Sequence, residues 1–335
     1  MLCLKVPKRE GEKVRNKLLE ENLLEKRGRI TSDKEFLYFP IKEVPSEGMD
    51  FEVVEKEVEM RENKFSDYRE VVDVPSRFKE KLPSSYDIIG DIAIIKIPDE
   101  LKDHKNVIGD AILRTHNNVN SVLEDHGVIG EFRIRDVEAI AGIDKKTTIH
   151  KEYGIELEVD ITSTYFSPRL ATERWRVVKK TQPKEKVLDM FAGVGPYSIL
   201  IAKNVDVERI YCIDINPQAI ALLKKNAERN NVVDIIDPHL GDSKRLAPMF
   251  SVDRIIMNLP HSSFEFLESA LKAAKRECTI HYYEMVDEEE KETRVEKVKQ
   301  KIIEYGFEPK IIEQRDVRSY SAYTIHKALD IEIRR

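Results

Sequence analysis

Residues 187–195 read Val-Leu-Asp-Met-Phe-Ala-Gly-Val-Gly, a short apolar run followed by an acid and two closely spaced glycines. The pattern predicts a strand ending on Asp189, a tight loop through Phe191, Ala192, Gly193 and Gly195, and a helix behind it. Glycines in such a loop let the backbone approach a ligand, because no Cβ stands in the way. The loop is not a dinucleotide fingerprint: Ser198 occupies the third glycine position of G-x-G-x-x-G, and Asp189 precedes the loop. A pyrophosphate is anionic and favours bare helix N–H groups. An acid at the mouth instead suits a cationic adenosine ligand, of which the sulfonium and amino groups of S-adenosylmethionine are the example.

Three later strand ends extend this reading. Asp214 closes the next apolar run, where an acid commonly accepts hydrogen bonds from ribose hydroxyls; it can also cap the helix opening at Pro217. Ile215 follows it, and Gly241-Asp242-Ser243 ends the run after that, offering a carboxylate to an adenine amino group. Asn258-Leu259-Pro260 ends a fourth run. Asn258 has both an acceptor and a donor, and a rigid Pro260 can hold them against a planar nitrogenous ring. Asn and Pro also form plain turns, but after a glycine loop and two acidic strand ends the site reading is favoured. Upstream, Tyr165 and Phe166 can stack on an exposed base, and Arg169 can meet a phosphate or a carboxylate. Glu131–Arg135 puts Arg133 and Arg135 on one strand face, while Glu173 and Arg174 also read as charges at a helix start.

The elements that must position these residues fall into three segments. Residues 1–72 form a small α/β module, with a helix from Gly11 carrying Val14, Leu18, Leu19 and Leu23 on one side and strand-like runs at 35–40 and 51–57. Its cluster of Lys5, Lys8, Arg9, Lys13, Arg15 and Lys17 is either a solvated face or an RNA contact. Residues 73–168 are mostly β, opening with a hairpin around Gly90-Asp91. Residues 169–335 alternate strand and helix and finish with two strands, the pattern of an α/β doubly wound, mainly parallel sheet with a closing antiparallel pair. The net charge of −6 leaves any nucleic-acid contact to local basic patches. Cys3, Cys212 and Cys278 have no paired or metal-ligand spacing, so they read as reduced thiols of a cytoplasmic protein. No run has membrane-spanning length, and Met-Leu-Cys-Leu-Lys is too short for a signal peptide. No metal site is expected.

The chain resembles the archaeal and eukaryotic type of tRNA (guanine-37-N1)-methyltransferase across all three segments. The carriers are Gly130-Glu131-Phe132-Arg133, Thr148-Ile149-His150-Lys151-Glu152, Tyr165–Leu170, Asp189–Pro196, Asp214–Pro217, Met257-Asn258-Leu259-Pro260 and His281-Tyr282-Tyr283. The resemblance implies a class I (Rossmann-like) methyltransferase domain fused to the middle segment, an N-terminal domain that reads the outer corner of tRNA, S-adenosylmethionine as donor, and a monomer acting at the anticodon loop. It places the general base on Glu173 and a cation for the guanine O6 on Arg133. Tyr165, Arg169, Asn258 and Pro260 would hold the flipped base, and Arg174 would shape the donor pocket. N1 of guanine carries a proton at neutral pH, so a base must take it while charge builds toward O6. One departure is Arg318-Ser319-Tyr320-Ser321-Ala322-Tyr323, which lacks the Pro-Arg usual after this Tyr. Three other readings compete: an enzyme that also C-methylates 4-demethylwyosine, an aminocarboxypropyltransferase of the wyosine pathway, and a non-catalytic binding module.

Overall fold

The computed structural model describes residues 1–21, 23–25, 29–45, 51–58, 67–130, 132–319 and 324–335. The chain divides into two compact units, Met1–Val71 and Val72–Arg335. Glu131 and residues 320–323, both quoted above, lie outside the described residues.

In the first unit β1 (Leu2–Pro7) precedes α1 (Gly11–Glu20), β2 (Thr31–Ser32), β3 (Phe36–Pro40) and β4 (Glu52–Glu55). The sheet order is β2-β3-β1-β4, with every pairing antiparallel. Leu4 and Val6 of β1 meet Val14 and Leu18 of α1 and Phe39 of β3 in the core of this unit. The opening residues are therefore a central strand, which the period-two pattern Leu2, Leu4, Val6 encodes. Of the basic cluster, Lys5 pairs with Glu52 at 2.8 Å, whereas Lys8, Lys13 and Arg15 are exposed.

The second unit opens with β5 (Asp87–Ile89), β6 (Ile92–Ile95), α2 (Lys105–Thr115), β7 (Ser121–Ile129) and β8 (Ile134–Gly142). They form a four-stranded sheet in chain order, and α2 provides the crossover between the parallel β6 and β7. A hairpin of β9 (Thr147–Glu152) and β10 (Ile155–Asp160) follows. The rest comprises α3 (Ala171–Lys180), β11 (Lys186–Asp189), α4 (Pro196–Asn204), β12 (Arg209–Asp214), α5 (Pro217–Arg229), β13 (Ile236–Leu240) and α6 (Ser243–Leu246). It is completed by β14 (Val252–Met257), α7 (Ser263–Ala273), β15 (Ala274–Asp287), α8 (Lys291–Glu304), β16 (Glu308–Ser319) and β17 (Thr324–Arg334).

These strands make one seven-stranded sheet, ordered β13-β12-β11-β14-β15-β17-β16. The first five run parallel, and β17 inserts antiparallel between β15 and β16. Strand order reverses between β11 and β14, which opens a crevice at their C-terminal ends where such sheets bind ligands. The middle hairpin is tied to this layer by two asparagines of one helix face. Asn226 accepts from the Glu158 amide at 2.7 Å and donates to the Glu158 carbonyl at 3.0 Å. Asn230 repeats the exchange with Glu156. An amide side chain satisfies both backbone groups of an edge strand in this way, so β10 is not left with bare donors against α5.

Candidate active site

A cavity of about 650 Å³ opens at the C-terminal ends of β11, β12, β13 and β14. Phe191, Ala192, Gly193, Asp214, Ile215, Asp242 and Ser243 line one half of it. Asp214 is fixed by two backbone donors, Gly193 N at 2.7 Å and Asn216 N at 2.9 Å. Its pKa is raised because burial outweighs these bonds. Gly193 has φ +55, and a Cβ there would meet only Tyr165 O, at 3.8 Å. Left-handed backbone explains that glycine, and it faces the cavity. Asp242 caps α6 by accepting from Lys244 N at 2.8 Å, while Ser243 spends its hydroxyl on Met190 O. Both line the cavity; Ser243 has spent its only donor, while Asp242 keeps a carboxylate oxygen free to accept from a ligand.

Two residues expected at the donor do not reach it. Asp189 is buried beneath the loop rather than at its mouth, and it accepts from Ser198 Oγ at 2.6 Å. Burial pushes its pKa up to about 7, with the neighbouring Asp214 charge adding to the effect. Ser198, the residue that breaks the dinucleotide fingerprint, is thus the partner of this buried acid. Gly195 also lies outside the cavity lining. With φ +89, its Cβ would fall 2.2 Å from Leu223 Cδ1 and 2.9 Å from Ile199 Cδ1. This glycine serves close packing of α4 and α5, not ligand approach.

The opposite half brings together Phe132, Arg133, Tyr165, Asn258, Leu259, Pro260 and His261. Arg133 is not on a strand face. It sits in the turn before β8, with φ +52 and its amide bonded to Gly130 O, and it has no ion pair among the described residues. Arg135 is instead consumed by Asp87 and Asp125. Tyr165 is 41 % exposed and lines the cavity. Asn258 has a buried Oδ1 with no hydrogen-bond partner. An unfilled acceptor in a cavity wall costs about 1–3 kcal/mol unless a ligand supplies the donor, so this atom is evidence of a site. Pro260 is held by its carbonyl, which accepts from Met285 N at 2.8 Å.

Arg174 borders the cavity, yet its guanidinium is committed to Glu152 (Nε to Oε1 2.6 Å) and to Ser167 O at 3.1 Å. It lies over the Phe166 ring, so its work is to hold the segment that presents Tyr165. Its partner Glu152 lies 22 residues earlier in the chain, a pairing that no local spacing signals. Arg169 is outside the lining and pairs with Asp87 at 2.5 Å.

Glu173 lies apart from the cavity. It is 2 % exposed. Tyr283 donates to its Oε1 at 2.7 Å, Arg176 pairs with it at 2.7 Å, and Arg315 contacts Oε2. Arg176 in turn pairs with Asp330, which bonds His281 Nδ1 at 2.7 Å. The carboxylate is thus held in a buried charge network with Tyr283 and Arg176.

The chain matches the family model of the TRM5/TYW2 methyltransferase domain over residues 148–308, the TYW2 N-terminal domain over 69–146 and the tRNA methyltransferase 5 N-terminal domain over 3–50. It is 42 % identical over 334 residues to the tRNA (guanine(37)-N(1))-methyltransferase Trm5b of Pyrococcus abyssi, covering 99 % of both chains. It is 30 % identical to the tRNA(Phe) (4-demethylwyosine(37)-C(7)) aminocarboxypropyltransferase of Pyrococcus horikoshii, covering 78 % of this chain and 93 % of that one. Among solved structures, the complex of aTrm5 with tRNALeu aligns with a TM-score of 0.72 at 38 % identity, over 99 % of both chains. No helix among the described residues is long and apolar enough to cross a membrane.

Proposed function

Because the chain belongs to the archaeal and eukaryotic family of tRNA (guanine-37-N1)-methyltransferases, we propose that it methylates N1 of guanosine 37 in tRNA with S-adenosylmethionine as donor. When bound, that donor supplies an electrophilic methyl group on a positively charged sulfur. Asp214 would take the ribose hydroxyls, Asp242 the adenine amino group, and Phe191, Ala192, Gly193 and Ile215 the remaining adenosine surface. The observation that carries the reading is the union, in one cavity, of this acidic adenosine half with Arg133, Tyr165 and the bare Oδ1 of Asn258.

Tyr165 would stack on the flipped base, since a base in a duplex or stacked loop must leave it to be modified. Asn258 and Pro260 would align the ring edge, and Arg133 would balance the negative charge that grows on O6 as the N1 proton leaves. Glu173 remains the proposed acceptor of that proton by family resemblance. To serve it must exchange Arg176 and Arg315 for the base, so proton removal would follow a rearrangement of α3 side chains driven by tRNA. The unit 1–71, with exposed Lys8, Lys13 and Arg15, is the proposed reader of the tRNA outer corner. By the same family reading, we place the enzyme in the cytoplasm and take it to act as a monomer.

The aminocarboxypropyl reading fits less well, because residues 3–50 match the tRNA methyltransferase 5 N-terminal domain. Incubation with unmodified transcripts carrying G37 or A37, then nucleoside mass analysis, tests the proposal. 1-Methylguanosine should form with G37 and no methylated product with A37. An aminocarboxypropyl product, or none with G37, overturns it. A 4-demethylwyosine-containing transcript in parallel shows whether a second methylation accompanies the first.

A further inference from the structure

One side chain of the acceptor half takes no part in the chemistry above. His326 lies on β17, in register with Met285 of β15 on one side and with Arg318 of β16 on the other. The Met285 amide is the donor that holds Pro260, so His326 stands one strand away from the backbone that shapes the target-base half. The imidazole lines the cavity and is 1 % exposed, and neither ring nitrogen has a hydrogen-bond partner among the described residues. A buried donor and acceptor left bare cost about 1–3 kcal/mol each. Leucine or phenylalanine would fill the same space without that cost, so packing alone does not account for histidine here.

The surroundings fix its charge state. The Tyr283 ring lies 5.7 Å away, centroid to centroid, and Arg318 and His261 face it from β16 and from the loop after Pro260. Burial, reinforced by the Arg318 charge and by His261, pushes the imidazole pKa down to about 4. The ring is therefore neutral at physiological pH and presents one N–H and one bare nitrogen. The neighbouring free atom, Asn258 Oδ1, is an acceptor only, so it suits a donor of the base, such as the exocyclic amino group of guanine. What a guanine in this cavity then lacks near the Pro260 side is a neutral donor for O6.

We propose that His326 reads the target guanine by donating its ring N–H to O6, beside the charge supplied by Arg133. This inference rests on the proposed guanosine methylation. It adds a base-reading residue whose bond strengthens as O6 gains negative charge.

Single-turnover methylation of transcripts bearing G37 or 6-thioguanosine-37 tests it, because sulfur is a much weaker acceptor than oxygen. His326→Leu should slow reaction on G37 by about 30-fold or more, as loss of a donor to developing charge does. His326→Gln keeps an N–H and should stay within about fivefold of wild type, well short of the loss expected for leucine. The preference of wild type for G37 over the thio substrate should shrink at least about threefold in His326→Leu, the coupling expected when both changes remove one bond. An unchanged preference, even with a slower enzyme, assigns His326 to structure and overturns the proposal, as does a leucine variant as fast as wild type. Wild-type protein labelled with 15N-histidine gives a second reading independent of folding of the variants. A His326 ring resonance should shift on adding G37 transcript with S-adenosylhomocysteine, and its failure to move overturns the proposal equally. Wild-type 1-methylguanosine formation in the same reactions separates the two ideas: its absence defeats the proposed function, and its presence with negative His326 results defeats only this inference.

Discussion

Asp214, Asp242, Asn258 and Tyr165 all reach the cavity, and their placement was legible because each follows directly from a local pattern: the last position of a strand, or the segment leading into one. Where the Glu173 and Arg169 side chains point is not legible, because their direction depends on partners far away in sequence. Glu173 is turned by Tyr283, 110 residues on, and Arg169 by Asp87, 82 residues back. No spacing rule carries such information. The buried network gives Glu173 a structural share as well as its proposed chemical one. Glu173→Gln leaves Arg315 without its anion and Arg176 with Asp330 in place of two buried carboxylates, and removing one partner of a buried pair costs about 3–5 kcal/mol. Thermal unfolding should register that loss. Single-turnover methylation should also fall at least about 100-fold, the lower range for general base catalysis, with donor affinity retained. A destabilised variant that methylates at the wild-type rate would remove Glu173 from the chemistry.

At the level of elements, the alternating strands and helices after residue 186 were readable from apolar runs bounded by Gly, Pro, Asn and Asp. The order in which the last strands assemble was not, since the insertion of β17 between β15 and β16 is a long-range pairing. β1 is hard to read because only Leu2, Leu4 and Val6 mark its alternation, and α3 because six of its ten residues are charged or polar, Thr172, Glu173, Arg174, Arg176, Lys179 and Lys180, so that only the charges at its start signal a helix. The two loop glycines looked equivalent in sequence and are not in space. Gly195→Ala forces a left-handed residue and a clash with Leu223 and Ile199, together about 2–4 kcal/mol. Its unfolding midpoint should drop while the folded fraction binds donor normally. Gly193→Ala meets no close atom, so its stability cost should be nearer to about 1 kcal/mol, but its methyl group enters the adenosine half and should weaken donor binding in calorimetry. If both variants lose stability alone, the loop does not touch the donor.

For the molecule as a whole, the break between Val71 and Val72 separates two cores that share no residue: Leu4, Val6, Val14, Leu18, Leu24, Phe39 and Ile41 in the first unit, and clusters built entirely from residues beyond 88 in the second. Each unit buries its own apolar surface, which is the dominant favourable term in folding, so residues 72–335 should fold without the rest. The middle segment, by contrast, is not separable in the same sense. β10 is bonded to Asn226 and Asn230, and Ile155, Leu157 and Val159 enter the same core as β11 and α4. Deleting residues 1–71 should therefore leave the unfolding midpoint of the remainder within about 3 °C, the shift that roughly 1 kcal/mol produces in a domain of this size. Donor affinity should be unchanged, because every cavity residue lies in the retained unit. The KM for full-length tRNA should rise by about tenfold or more, the effect of losing some 1.4 kcal/mol of binding, while a transcript reduced to the anticodon stem-loop should be methylated equally well by both proteins. An unchanged KM for full-length tRNA would mean that the first unit does not read the outer corner, and a lost donor site would mean that the two units do not fold independently.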